Sequence, residues 1–354
     1  MGKLRIKDIA LKVGVSVGTV DRVLHNRGEV AEETRQKVLK IVEEEGYVPN
    51  LLARRLASKK KFCFATLLPS YQNDNDYWKY PQVGVLKAQK ELEDFGVIIQ
   101  QFYFDQFNEK TFENQARELI KLSPDAILIA PVFAQKCMQL IDKCNIKGIP
   151  YVFIDSNIYA SNRLSYIGQN AVQSGLLAGR LMSYSIESQS TILIITIAKN
   201  SVSTDHTTKR VKGFKDFFSS PLMKKKVNIL DIDVEEDVDI LLYKALVEAF
   251  DKNKNIQGIF VTNSKAYKVA RFLEKNHLDK VHLIGYDLVK DNIFFLEKNI
   301  IDFLISQRPE VQGYNAVMTL YNYLILKKEV KMVNHTPIDI ITKENLKYYL
   351  NLEL

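Results

Sequence analysis

The chain has 354 residues, 46% of them hydrophobic and 26% charged, with a formal net charge of +7. This length exceeds one ordinary hydrophobic core and predicts two or three domains, while the composition excludes a largely disordered chain. No apolar run reaches the roughly 18 residues that a membrane span needs, and the sequence opens with no export signal, so we expect a cytoplasmic protein.

The positive charge is concentrated at the start of the chain. Residues 1–61 contain 14 Lys or Arg against 8 Asp or Glu, so they carry +6 of the net charge of +7. Charge confined to one compact segment is typical of a protein that binds a polyanion. A lysine-rich surface that serves only solubility is the alternative.

Residues 4–61 predict three short helices, a tight turn and a basic segment. Gly14 ends the first helix, and Ser16 is a good N-cap for the second. Apolar residues recur at helical spacing in both, namely Ile6, Ile9, Ala10 and Val13, then Val20, Val23 and Leu24. A helix, a four-residue turn and a helix form the motif that places its second helix in the major groove of DNA.

The same stretch contains GVSVG at residues 14–18, which satisfies the G-x-S-x-G pattern of a hydrolase nucleophile. That pattern needs a strand before the serine, whereas a helix is predicted there. Cys63, Cys137 and Cys144 have no zinc-ligand spacing, and the sequence contains no phosphate-binding loop, dinucleotide fingerprint or H-E-x-x-H pair. We therefore expect reduced thiols, no metal, no cofactor and no enzymatic activity.

From residue 62 onward, short β-rich runs alternate with helical stretches, as in parallel sheets flanked by helices. The predicted strands form two sets, residues 62–68, 97–104, 126–130 and 151–154, then 191–197, 227–232, 258–261 and 281–285. Helices are predicted to begin near Gln82, Glu109 and Gln135, and near Thr207, Val238 and Ser264. Two doubly wound halves of this kind enclose a cleft at the carboxyl ends of their strands, where small molecules bind.

The segments IKDIALKVGVSVGTVDRVL and YVPNLLARRLASKK resemble the reading motif and hinge helix of the lactose-repressor/galactose-repressor family of bacterial transcription factors. The remainder resembles that family's sugar-sensing domain and ribose-type periplasmic binding proteins. The resemblance implies an all-α helix-turn-helix domain over 1–48, a hinge helix and linker over 49–61, and a two-lobed α/β effector domain over 62–354. The expected first lobe comprises about 62–167 with 309–337, and the second about 168–308 with 338–354.

The resemblance also implies a set of DNA-contacting residues, namely Ser16, Val17, Gly18, Thr19, Arg22, Thr34, Asn50, Ala53, Arg54 and Leu56. Arg22 has two donors for one guanine base, and Leu56 is expected to wedge between base pairs where two hinge helices meet in the minor groove. Two half-sites imply a homodimer. Asp21 departs from the family's usual serine, and because a carboxylate repels phosphate we expect it to pair with Arg22 or His25.

Polar and aromatic residues near strand ends are implied to bind the effector, namely Tyr77, Trp78, Asp155, Asn170, Asp205, His206, Asn263, Asp287 and Gln307. Carboxylates and amides suit a polyhydroxylated ligand because each can hold one or two hydroxyls. Thr208 stands where many relatives carry an arginine, so we expect Asp205 and His206 to replace that donor. Core packing is the alternative role of Trp78, and a buried uncharged helix cap is that of His206.

These features together predict a dimeric transcription regulator that binds double-stranded operator DNA and responds to a small molecule, a sugar by resemblance. Two alternatives stay open. One is an exported sugar-binding protein without a transcriptional role. The other is a regulator that senses a sugar phosphate or a partner protein, for which Lys199 and Lys209 are close enough in sequence to supply cations.

Overall fold

The computed structural model describes residues 5–24, 28–45, 47, 61–159, 161–197, 205–221, 223–234 and 239–350. Contacts within the chain divide it into two compact units, residues 1–59 and 60–354. The predicted hinge residues Asn50, Ala53, Arg54 and Leu56 lie outside the described residues, as do His25 and Lys199.

The described residues of the first unit form three helices, α1 (Ile6–Val13), α2 (Val17–Leu24) and α3 (Glu32–Glu44). Their inward faces form one small core of Ile9, Ala10, Val20, Val23 and Val38. Gly14 caps α1 in the left-handed conformation, with a φ of 73°, and α2 begins after three residues rather than the four predicted. Ser16 Oγ accepts a hydrogen bond from Thr19 N at 3.1 Å, which confirms the predicted N-cap. Because a helix precedes Ser16, GVSVG is a helix start and not a nucleophile elbow.

The second unit has two lobes, each built on a six-stranded sheet. The strands of the first lobe are β1 (Phe62–Pro69), β2 (Val97–Phe104), β3 (Ala126–Ile129), β4 (Tyr151–Ile154), β5 (Ser165–Gly168) and β11 (Val333–His335). They are parallel and lie in the order β11-β5-β4-β3-β1-β2. The flanking helices are α4 (Lys79–Leu92), a 3-10 turn (Glu93–Phe95), α5 (Glu109–Leu122), α6 (Ala134–Lys147) and α12 (Pro309–Leu324).

The second lobe repeats this arrangement. Its strands are β6 (Thr191–Ile197), β7 (Asn228–Val234), β8 (Ile256–Val261), β9 (His282–Tyr286), β10 (Phe303–Ser306) and β12 (Asp339–Ile341). They lie in the order β12-β10-β9-β8-β6-β7, and β12 alone is antiparallel to its neighbour. The helices are α7 (Ala171–Ser185), α8 (Asp205–Phe218), α9 (Asp239–Lys252), α10 (Ala266–Lys275), α11 (Lys290–Glu297) and α13 (Lys343–Leu350).

The predicted fold class is confirmed, with differences confined to short elements. The four strands that were not predicted, β5, β10, β11 and β12, have only three or four residues each. Helix α8 begins at Asp205, two residues before the predicted start at Thr207.

The chain passes between the lobes after β5, after β10 and after β11. Gln169 is buried at the first crossing, and its Nε2 donates to the carbonyls of Ser306 and Pro337 at 3.0 Å each. One amide thus joins all three crossing segments.

Two glycines let helices pack at backbone contact in corresponding places of the lobes. A Cβ on Gly84 of α4 would lie 1.9 Å from the Glu310 carbonyl oxygen of α12, and a Cβ on Gly175 of α7 would lie 2.1 Å from the Arg210 carbonyl oxygen of α8. Only glycine permits such approaches. Gly175 therefore fixes the position of Arg210 in the second lobe.

Two of the three cysteines belong to the core of the first lobe. Cys137 and Cys144 are fully buried on α6, and burial raises the pKa of both thiols, that of Cys144 to about 12. Such thiols stay protonated and unreactive. In the part of the chain that the structure describes, no helix is long and apolar enough to cross a membrane.

Candidate functional site

Each lobe presents one buried aspartate at the carboxyl end of an inner strand. Asp155 follows β4 and Asp287 follows β9, with φ angles of 64° and 65°. Their backbone N–H groups donate to Ile167 O at 3.3 Å and to Ile305 O at 3.1 Å. A left-handed conformation outside glycine costs on the order of 1 kcal/mol and is found most often at functional sites. The strand-end positions predicted from the sequence thus have the same backbone geometry in both lobes.

A cavity of about 150 Å³ lies between the lobes at these strand ends. Most of the predicted effector residues line it, namely Tyr77, Trp78, Asp155, His206, Asn263, Asp287 and Gln307. This volume is at the small end for a ligand site and far above that of a single water molecule. The cleft therefore suits a molecule of roughly monosaccharide size.

Two predicted effector residues, Asn170 and Asp205, do not line the cavity. Asn170 is the N-cap of α7, where its Oδ1 accepts from Gln173 N at 3.2 Å. Asp205 opens α8 and accepts from Lys209 Nζ at 2.5 Å on the more exposed side of the helix. Helix capping and a local ion pair account for both side chains.

Arg210 is the main cleft residue that the sequence analysis missed. Its side chain is fully buried, lines the cavity, donates from Nη1 to Thr262 O at 2.8 Å, and lies 3.8 Å above the ring of Tyr286. The arginine sought at Thr208 is thus two positions further along. The inward-facing residues of α8, Thr207, Arg210, Gly213 and Phe214, have helical spacing, which would have identified it.

Two buried polar atoms of the cleft residues have no hydrogen-bond partner among the described residues. One is a donor, Nε of Arg210, and the other is an acceptor, Oδ1 of Asp287. The other carboxylate oxygen of Asp287 accepts from Gln307 Nε2 at 2.9 Å. Buried polar atoms in folded proteins are almost always hydrogen-bonded. A donor and an acceptor that both belong to cavity-lining residues suit a ligand whose hydroxyls can give and receive hydrogen bonds.

His206 reaches across the cleft to the first lobe. Its Nδ1 lies 2.9 Å from Ser156 Oγ and 3.4 Å from Asp155 Oδ2. Burial lowers the pKa of His206 to about 4, against the opposing effect of the Asp155 carboxylate. The ring is therefore uncharged near neutral pH, and it lines the cavity as well.

Tyr77 and Trp78 form the aromatic wall of the cleft. Their rings meet edge to face at a centroid distance of 5.2 Å, and Trp78 Nε1 donates to Gln106 Oε1 at 3.2 Å. Trp78 also packs into the core of the first lobe, which agrees with the alternative role, and its contact with an effector stays a prediction. Gln106, which follows β2, is a second cavity-lining residue that was not predicted.

Buried amides hold the two aspartates from behind. Gln312 accepts from Asp155 N through Oε1 and donates to Gln307 O through Nε2, both at 3.0 Å. Asn292 donates to the carbonyls of Tyr286 and Asp287 at 2.8 and 3.0 Å. Because these amides are fully buried, the cleft residues are positioned before any ligand binds.

In the first unit, the predicted DNA-contacting residues lie at the start of α2. Ser16, Val17, Gly18 and Arg22 are exposed, and Arg22 Nε donates back to Gly18 O at 3.3 Å. Thr19 is half-buried with its Oγ1 at 2.9 Å from Ser16 Oγ, and Thr34 is half-buried in the first turn of α3. The exposed face of α2, from its amino-terminal turn to Arg22 in its last turn, therefore offers a small, accessible surface that carries a cation.

Asp21 lies on α2 near Tyr47. Burial, and secondly the Asp21 carboxylate, raises the pKa of the Tyr47 hydroxyl. The carboxylate thus lies close to a residue of the helical core rather than standing alone on the reading surface.

Comparison with known families agrees with both units. A family model described as a periplasmic binding protein domain matches residues 64–329, and one described as bacterial regulatory proteins of the lacI family matches residues 5–50. The chain belongs to the lacI family of bacterial regulatory proteins. The resemblance found in the sequence is confirmed.

Individual relatives share the same organisation. A crystal structure from Bacteroides fragilis, assigned as a LacI transcriptional regulator, is 30% identical with a TM-score of 0.74 and covers 82% of this chain and all of its own. The ribose operon repressor of Halalkalibacterium halodurans is 24% identical over 96% of this chain and 94% of its own length. The regulator RegA of Clostridium saccharobutylicum is 31% identical over 41% of this chain and 42% of its own length.

Membership of the lacI family defines the two units functionally. The helix-turn-helix unit binds DNA, the two-lobed unit is a small-molecule domain of the periplasmic-binding-protein type, and the chain is a transcriptional regulator. Two binding sites within one chain are what a ligand-responsive regulator requires.

Proposed function

We propose that this lacI-family chain is a homodimeric operator-binding regulator whose DNA affinity is set by a neutral sugar held between the two lobes. The observation that carries the proposal is the pair of unpartnered buried atoms in the cleft, Arg210 Nε and Asp287 Oδ1. Asp155, Asn263 and Gln307 add further hydroxyl partners around them. The ribose operon repressor among its relatives supports a sugar of this size.

The charges of the cleft favour a neutral sugar over a sugar phosphate. Among the described residues, three carboxylates line the cavity, Asp76, Asp155 and Asp287, against two cations, Arg210 and Lys265, so the cleft has no excess of positive charge for a phosphate. Burial raises the pKa of Asp287 to about 7, because a further buried negative charge is costly there. Lys209, one of two lysines considered for an anionic ligand, donates instead to Asp205 and to Tyr159 Oη at 3.0 Å. It does not line the cavity.

Ligand closure of the lobes would shift the spacing of the two DNA-reading units across the dimer and so change operator affinity. Coupling of this kind typically amounts to about 1 to 3 kcal/mol. An exported sugar-binding protein would share the cleft but would have no use for the helix-turn-helix unit. Since the DNA that the protein would bind lies inside the cell, we place the protein in the cytoplasm.

A thermal-shift screen tests the effector assignment directly. D-ribose, D-glucose, D-galactose and L-arabinose form the neutral arm, and D-ribose 5-phosphate with inorganic phosphate forms the anionic arm. We expect a neutral sugar to raise the melting temperature and the anions to have no effect. Stabilisation by the anionic arm alone would reject a neutral effector.

Exposed apolar side chains support the dimer. On the first lobe they lie on α4 and on β2, the outermost strand of its sheet, as Val83, Leu86, Ile98 and Tyr103. On the second lobe they lie on α9, which packs against the outermost strand β7, as Ile240, Leu241, Tyr243 and Val247. Corresponding sheet edges of both lobes thus carry apolar surface that a second copy would cover.

Leu86→Glu is expected to convert the dimer into a monomer, because a carboxylate would be buried without a partner in the interface. Sedimentation velocity of the full chain measures this. Leu122→Glu on α5 is the matched control, since Leu122 is 43% and Leu86 51% exposed. Dissociation caused by the control, or a dimer that survives Leu86→Glu, would contradict the proposed interface.

Arg22→Ala is expected to weaken operator binding by roughly 5- to 150-fold while affecting random DNA much less, since a bidentate contact to guanine carries about 1 to 3 kcal/mol of discrimination. The operator is first selected from random duplexes, and affinities are then measured at one fixed salt concentration. Lys40→Ala on α3 removes an equal charge from an ion pair with Glu44 and is the control. Equal losses on operator and random DNA would make Arg22 a phosphate contact only.

A further inference from the structure

The loop that joins β1 to α4 in the first lobe touches the second lobe directly after Asp287. Oδ1 of Asn75 accepts from Asp291 N at 2.8 Å. The hydroxyl of Tyr80, in the first turn of α4, lies 3.2 Å from Leu288 O and 3.3 Å from Asp74 O, so its one proton is shared between the opposite lobe and its own. The Asp74 carbonyl accepts from Lys290 N at 3.5 Å, the limit for a hydrogen bond. Residues 74–80 of the first lobe thus bond to Leu288, Lys290 and Asp291 of the second lobe.

Helix α11 begins in this turn without a cap from its own lobe. Its N-cap residue is Val289, whose side chain accepts no hydrogen bond. The first N–H groups of a helix have no partner within the helix and need one from elsewhere. Asn75 supplies it for Asp291, the second residue of α11, so a helix of the second lobe is capped by a side chain of the first.

The capping loop is held in shape by its own hydrogen bonds. Asp76 Oδ2 accepts from Gln72 N at 2.6 Å and from Asn73 N at 3.3 Å, and Asn73 Oδ1 accepts from Asn75 N at 2.9 Å. Asp74 pairs with Lys79 at 2.7 Å. The acceptor of Asn75 is therefore presented at a fixed place and costs little ordering when the lobes meet.

We propose that Asn75 and Tyr80 are positioning residues that hold the lobes closed over the sugar, by capping α11 and by bonding to the Leu288 carbonyl from the opposite lobe. The inference rests on the proposed sugar effector. Residues 288–291 directly follow Asp287, so these contacts act on the segment that carries the Asp287 carboxylate. Asn75 also lines the cavity, whereas Tyr80 does not, so an effect of the Tyr80 hydroxyl on sugar binding passes through closure and not through contact with the sugar.

Hydrogen exchange of the full chain tests whether the cap forms, with or without a sugar. The amides of Lys290 and Asp291 are expected to exchange slowly in wild type, at least in the presence of one sugar of the neutral panel, and faster in Asn75→Ala. Asn75→Asp keeps the acceptor oxygen and is expected to restore protection. Unprotected amides in wild type under every condition, or equal protection in wild type and Asn75→Ala, would overturn the proposal.

Dissociation kinetics test the consequence for binding. With whichever panel sugar stabilises wild type, Tyr80→Phe is expected to speed sugar release about 3- to 10-fold, the usual effect of one lost hydrogen bond. Tyr314→Phe is the matched control, because its hydroxyl donates to Glu91 at 2.7 Å within the first lobe alone. Unchanged release from Tyr80→Phe, or equal acceleration in the control, would reject the positioning role.

The sugar effector and the positioning role of Asn75 and Tyr80 can fail independently in these measurements. If no panel sugar stabilises wild type, the sugar assignment fails, while the exchange of Lys290 and Asp291 still reports whether the two lobes bond in solution. If a sugar binds and the variants release it at the wild-type rate, only the positioning role fails.

Discussion

Arg210→Met is expected to weaken sugar binding by about 100-fold or more, because truncating a buried, hydrogen-bonded charge typically costs at least 2 to 3 kcal/mol. The variant removes the unpartnered buried donor Nε, the bond from Nη1 to Thr262 O and the stacking on Tyr286. It also removes the cation that lowers the pKa of Asp287, so this carboxyl should hold its proton to higher pH than in wild type.

Isothermal titration with the sugar that stabilises wild type measures the loss, and a pH series of the same titration reports the Asp287 proton. Lys212→Met is the matched control, since Lys212 lies on α8 as well but is exposed and pairs with Asp216. We expect wild-type affinity from the control. An Arg210→Met variant that is folded and binds the sugar as tightly as wild type would show that the ligand site lies elsewhere.

Asp287→Asn is expected to make the free protein more stable near pH 8 by roughly 2 to 4 kcal/mol while it weakens sugar binding. Burial raises the pKa of Asp287 to about 7, above its usual 3.8. Between these two values the folded protein holds a proton that the unfolded chain releases, so wild-type stability falls as pH rises. Asparagine is neutral at every pH in this range, so Asp287→Asn removes the free-energy cost of burying a negative charge.

Denaturant unfolding of both proteins from pH 4 to pH 8 checks this. The stability difference should be small near pH 4, where the wild-type carboxyl is protonated in the folded state, and should grow toward pH 8. Burial lowers the pKa of His206 to about 4, so this residue makes both proteins more stable as pH rises from about 4 to 6.5. Because His206 is present in both proteins, its contribution cancels in the stability difference between them. A wild type that is the more stable protein at pH 8 would contradict the buried charge cost.

Much of the cleft could be predicted because parallel strands end at one edge of each sheet. Asp155, Asn263 and Asp287 each follow a predicted strand, and all three line the cavity together with Gln307, which follows the unpredicted strand β10. The strand-end rule needs only the position of the strand, which hydrophobicity reveals.

Residues on helices and loops were harder to place. Arg210 was missed because the arginine was sought at Thr208, the position that the family resemblance implied, and the helical spacing of the inward-facing residues of α8 was not used. Asn170 and Asp205 have side chains that bond to their own helices, and composition alone does not separate such a cap from a ligand contact. Ser156 and Gln106 have no pattern in the sequence because their partners, His206 and Trp78, come from distant segments.

The matched geometry of Asp155 and Asp287 has a consequence for how a ligand is oriented. The two aspartates have nearly equal φ angles and line the cleft from opposite lobes. A polyol in the cleft would therefore meet similar acceptors at both of its ends. Head-to-tail discrimination must then come from groups that one jaw has and the other lacks. Arg210 on one side and Trp78 on the other are such groups, so we expect these two residues to decide which way round a bound sugar lies.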